Sequence, residues 1–328
     1  MTPSKLPGLL AAVLLSSSSL FAAPSNLTED QARHLLVRSG FAPTQTEVDR
    51  ITGQSAQRVV TDIITRAKSA KPAHPAPDFV SQPPPVAGRY LKTKDDQQAF
   101  RQQQLREGFE IKNWWMREMI ETPIPLQERM TLFWHNHFAT SQQKVLRSQA
   151  MWVQHQLLRN NALGDFRALL HAVAKDPAML VYLDGANSRR EAPNENFARE
   201  VMELFTLGEG QYTEKDIKEA ARAFTGWGVS STLGTFLYTA SNHDNFQKAV
   251  LSLGQVNIPP NQADEKDGED VLDLGAQAVS GPLGAAVATT PAVDDMDGAA
   301  LGHRRGQRQV VLRGPEGAPD QDQAGTVA

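Results

Sequence analysis

The sequence predicts a mainly α-helical protein: a multi-helix, bundle-like domain with a Pro-rich excursion and a disordered C-terminal tail. Three observations carry this expectation. Capping pairs recur, as Thr28 with Gln31, Thr44 with Glu47 and Thr213 with Asp216, a spacing in which side chain and backbone satisfy each other's orphan groups at a helix start. Apolar residues fall at helical intervals, most clearly Ile217, Ala220, Ala221 and Phe224. No convincing alternation of apolar and polar residues appears before residue 228.

Taken in order, "MTPSKLPGLLAAVLLSSSSLFAAPS" has Lys5, an apolar run from Leu6 to Leu15, then serines and small residues. That is the order of a secretory signal peptide, and it assigns residues 1–23 to a cleaved leader and the mature chain to the periplasm or the extracellular space. No later segment reaches the roughly 18 apolar residues a membrane span needs. The helical domain is expected over residues 26–254. Its first helix, "ARHLLVRSG", should close on Gly40 in a left-handed conformation. Ser55 is expected to cap "AQRVVTDIITRA", with Val59, Val60, Ile63 and Ile64 on one face. Residues 69–95 include "KPAHPAPDFVSQPPPVAG", whose six prolines exclude a helix and indicate an extended linker or surface excursion.

Helices resume over 96–121, where Trp114, Trp115 and Met119 supply bulk, and from Pro125 through "LQERMTLFWHNHF". Others are expected over 144–160, 165–174, after the Asp176–Pro177 pair, over 195–207 ending at Gly208, and from Thr213 to Gly226. "GTFLYTA" suits a short hairpin. All 22 aromatic residues precede Gln247, so 255–328 has little to bury against its ordering cost and is expected to be a low-complexity, disordered tail.

Bulk chemistry narrows the function. With no cysteine in 328 residues, disulfides, thiol nucleophiles and Cys-type zinc sites are excluded. A net charge of −4 argues against a general nucleic-acid binder. There is no G-x-S-x-G elbow, Walker loop or H-E-x-x-H pair.

The segments "HLLVRSGFAPTQTEVD", "ERMTLFWHNHFATS", "PNENFAREVMELFTLGEGQYTEKDIKEAARAFTGW" and "HD…K" resemble the bacterial domain-of-unknown-function family 1800, over about residues 28 to 254. The resemblance implies a mostly helical, exported protein whose activity is not established, and a family pattern that continues through further helices. Here "GEDVLDL" still looks like the family and nothing after Leu274 does, as a frameshift would produce.

Six residues are candidates for chemistry. His135 and His137 in "FWHNHF" lie about 200° apart on a regular helix, so joint metal ligation requires the helix to end near Trp134. Glu200 and Glu203 are i, i+3 carboxylates beside an apolar face that includes Phe197, Val201, Leu204 and Phe205. Such a pair repels unless a cation or proton lies between them; ligation of a divalent metal and neutralisation by Arg199, Arg222 or Arg38 are the two readings. His243 and Asp244, with Lys248, form a candidate acid–base group in a loop. The functional expectation is therefore a metal-assisted hydrolytic or redox enzyme with His135, His137, Glu200 and Glu203 as ligands. The alternative is a non-catalytic binding or scaffold protein with a partner in the cell envelope.

Overall fold

The computed structural model describes residues 26–82, 91–230, 234–251, 256–258 and 265–280. The expected leader, and the expected tail beyond residue 280, lie outside them. The described residues form twelve α-helices and four three-residue strands.

The N-terminal helices α1 (Glu29–Ser39), α2 (Gln45–Ile51) and α3 (Ala56–Lys68) enclose a small apolar cluster of Leu27, Ala32, Val48, Ile51 and Val59. The capping boxes at Thr28 and Thr44 are both formed. Two expectations need correcting here. Gly40 is extended, at φ −150°, not left-handed. It is small because α5 (Pro125–His137) passes close by: a Cβ at Gly40 would lie 3.2 Å from the Pro125 ring. Ser55 makes no side-chain cap, since its backbone is drawn into an antiparallel bridge with Asn26. Of the expected α3 face, Val59 is buried while Ile64 is 40% exposed.

The Pro-rich segment is an excursion packed on the domain rather than a linker, as far as residue 82. The buried Glu118 carboxylate, on the 28-residue helix α4 (Lys94–Glu121), accepts hydrogen bonds from the N–H groups of Ala73 (2.8 Å) and His74 (2.6 Å). Prolines leave few amide donors in this stretch, and a charged acceptor secures two of those that remain. Phe79 is buried beyond it.

The main core gathers α7 (Ser148–Asn161), α8 (Phe166–Ala174), α9 (Pro177–Tyr182), α10 (Glu195–Glu200), α11 (Glu214–Ala223) and α12 (Lys266–Ser280). Burial of Phe197, Phe224 and Trp227 stabilises it by about 1.5–3 kcal/mol each. Ile217, Ala220, Ala221 and Phe224 all face inward, as their spacing predicts. Strand β1 (Trp227–Val229) pairs antiparallel with β2 (Phe236–Tyr238), which is the expected hairpin. A second pair, β3 (Lys248–Val250) with β4 (Val256–Ile258), and helix α12 were not legible in the sequence.

Helix α12 and β4 fall in the stretch given above to a low-complexity tail. Val271, Leu272 and Ala276 are buried, and a Cβ on Gly268 would lie 2.5 Å from the Trp227 ring. Aliphatic residues and a close-packed glycine supply the burial that the missing aromatics seemed to deny.

Candidate functional site

The stretch read as one helix over 195–207 is two. α10 ends at Glu200, and Val201–Thr206 continues as a π-helical turn that stops at Gly208, φ 83°. A π turn closes i→i+5 bonds and often marks functional sites; here the Leu207 N–H reaches the Met202 carbonyl at 2.8 Å. The wider turn shifts the wheel. Leu204, expected on the apolar face, is 57% exposed. Glu200 and Leu204 open instead onto a cleft of about 430 Å³ between α5, α9, α10 and the short α6 (Gln142–Val145).

His137, the last residue of α5, lines the same cleft. Its Nε2–H donates to the Phe205 carbonyl at 3.2 Å, an acceptor the π turn leaves free of a helical partner. That bond fixes the tautomer, so the neutral ring carries its lone pair on Nδ1. Burial pushes the His137 pKa below the ordinary histidine value, and the Phe205 bond offsets part of that. Burial, then the neighbouring Glu203 charge, pushes the Glu200 pKa above the ordinary carboxyl value, against a smaller effect of Arg199. An imidazole whose pKa is lowered and a carboxyl whose pKa is raised thus share one concavity. Lys144 and Asp184 form an ion pair at its rim, 2.8 Å apart.

The other candidates are engaged by neighbours within the fold. His135 leaves α5 on another side, as the helical geometry requires, since the helix runs through His137 and does not end at Trp134. Its Nε2 lies 3.1 Å from His155 Nδ1, and its ring packs 4.7 Å from Trp115. Burial lowers the His135 pKa to about 4. Beneath this pair, Glu128 and Arg159 form a buried ion pair at 2.7 Å, with Trp115 donating to Glu128 at 2.9 Å. Glu203 accepts a 2.6 Å bond from Tyr212, while Arg199 is occupied by Glu214 and α1, which carries Arg38, packs on α2 and α5. The expected four-residue metal set is therefore not assembled at one point. Among the described residues no three histidines, aspartates or glutamates group closely enough to hold one ion.

His243 and Asp244, expected as an acid–base pair, lie in a network away from the cleft. His243 is 1% exposed, with Nδ1 donating to the Thr225 carbonyl at 2.7 Å and Nε2 facing Asp267 at 3.2 Å. Asp244 is bound by Arg222 at 2.8 Å, and hydrogen bonds and charge from Arg222 hold its carboxyl below the usual range despite partial burial. Lys248, fully buried, donates to Asp267 at 2.5 Å and to the Asp244 carbonyl. His243 and Lys248 are thus shut from solvent. The cluster latches β3 and α12 to α11. Sequence reading missed Asp267, Arg222 and His155 as partners, because nothing local links them to the residues they bind.

A family model for a protein of unknown function (DUF1800) matches residues 34–280. The chain belongs to the DUF1800 family. The match starts six residues later than expected from the quoted motifs and runs past Leu274 to the end of α12, so that helix lies within the DUF1800 region. No curated protein and no solved structure matches the chain. No described helix is long and apolar enough to cross a membrane.

Proposed function

We propose that the His137–Glu200 cleft is the active site of a hydrolase acting on a small polar molecule, in a protein exported through its N-terminal leader. The observation that carries this is the meeting of one imidazole and one carboxyl in a cleft of about 430 Å³, within the range of small-molecule sites. His137 Nδ1 takes a proton from water, the resulting hydroxide attacks the substrate, and Glu200 delivers its proton to the leaving group. The Lys144–Asp184 ion pair at the rim suits a polar substrate. A divalent ion would find two protein donors there, His137 and Glu200, and would act by activating the same water.

The test is hydrolysis of chromogenic esters, phosphates and glycosides, with and without added Zn²⁺ or Mn²⁺, by wild type, His137→Gln and Glu200→Gln. The expected result is a bell-shaped pH profile whose acid limb is lost in His137→Gln and whose alkaline limb is lost in Glu200→Gln. No turnover of any class by folded protein, or turnover indifferent to both substitutions, defeats the reading. Export is checked by N-terminal sequencing of protein from the periplasmic fraction, which should begin near Ala23 or Pro24.

The rival reading, a non-catalytic binding protein of the cell envelope, has its own support: His135, His243 and Asp244 are all bonded to other side chains of the fold. Binding of a small ligand that His137→Gln and Glu200→Gln leave undiminished, with no turnover, favours it.

A further inference from the structure

A second cavity, of about 320 Å³, lies on another part of the domain, between α4, α7, α9 and the β1–β2 hairpin. Its wall is largely aliphatic and aromatic, with Phe100, Val145, Val153, Val181, Val229 and Phe236 as the main contributors. The polar side chains on it are mostly engaged. Gln104 accepts from the Ser148 N–H at 2.7 Å and donates to Glu107 at 3.0 Å, and Gln149 donates to the Gln82 carbonyl at 2.8 Å.

Arg147 differs. It is the charged residue on the wall, and no described residue pairs with it. It follows Leu146, whose φ of 50° places a branched side chain in the left-handed region, a conformation that costs on the order of 1 kcal/mol. Arg147 is also the N-cap of α7 and makes no side-chain cap, so the Gln149 and Ala150 N–H groups of the first turn have no acceptor among the described residues. A guanidinium and two orphan amides beside an apolar chamber form a charge-complementary pair of surfaces, one for an anion and one for hydrocarbon.

We infer that this cavity binds an amphiphile with one apolar chain and a carboxylate head, the head on Arg147 and the chain among the valines and phenylalanines. The planar carboxylate matches the two-pronged guanidinium, and the apolar wall excludes a purely inorganic anion as its main ligand.

Calorimetric titration of the full chain with dodecanoate, below its critical micelle concentration, tests this. Dodecanoate is expected to bind at least about tenfold more tightly than dodecanol, a difference of about 1.4 kcal/mol. Acetate and inorganic phosphate should not bind over the same range. Arg147→Gln should erase the preference while leaving dodecanol binding intact. Val153→Trp, at a half-exposed position that tolerates bulk, and Val181→Phe should each weaken both ligands. His137→Gln should change nothing, since the other cleft is separate. Equal binding of dodecanoate and dodecanol, phosphate binding as tight as dodecanoate, or indifference to Arg147→Gln or to both filling variants would overturn the inference.

Discussion

The same residue types do opposite things in two regions of this molecule. Around His243, Lys248 and Asp267 every charged or imidazole group has its partner and water is shut out. At the cleft, His137 keeps one ring nitrogen for a ligand and Glu200 makes no ion pair among the described residues. The difference lies in closure. A buried charge without its partner is costly, so an enclosed cluster is complete or absent. A cleft tolerates an open valence because solvent or substrate fills it.

The contrast predicts that changes in the closed networks damage the fold, while changes in the cleft leave it standing. The largest effect is expected for Lys248→Met, which strands the Asp267 carboxylate and should cost about 3–5 kcal/mol in denaturant unfolding. A loss below about 1 kcal/mol would mean that the latch is solvated.

Next is the buried histidine pair. The His135 pKa is depressed to about 4, so between that value and the unfolded value near 6.5 the unfolded chain binds more protons. Stability contributed by neutral His135 is therefore complete above pH 6.5 and lost as pH falls toward 4. Asp176 acts in the opposite sense: burial raises its pKa to about 7, so acidification through that range favours the folded state. The two oppose each other in wild type, so the sign of the His135 contribution is read from a difference. Relative to His135→Gln, wild type should lose about 3 kcal/mol between pH 7 and pH 4. A pH-independent difference would contradict the assigned burial.

Thr213→Ala removes the capping box of α11 and should cost about 1 kcal/mol. Glu200→Gln should change stability by no more than about 0.5 kcal/mol, since it relieves repulsion from Glu203 and breaks no ion pair.

What the sequence disclosed follows the same division between local and distant. Caps at Thr28, Thr44, Asp176 and Thr213 act within four residues, and all four form. The stripe on α11 is equally local. His137 and Glu200 were marked by residue type, but their meeting depends on the π turn at Val201–Thr206, which has no sequence signature of its own. His155, Arg222 and Asp267 became partners only through tertiary packing, across separations of about 20 residues, which periodicity cannot report. The end of the domain was misjudged because aromatic content stood in for burial, whereas α12 packs through Val271, Leu272 and Gly268.

Carbethoxylation of native protein with diethyl pyrocarbonate at pH 6, mapped by mass spectrometry, tests the division most directly. The reagent attacks a neutral, accessible imidazole nitrogen. His137 should be modified rapidly, alongside the exposed His34, while His155 and His243 stay unmodified until the protein unfolds. Modification of His243 at the rate of His137 in folded protein would contradict the separation of an open cleft from a closed latch.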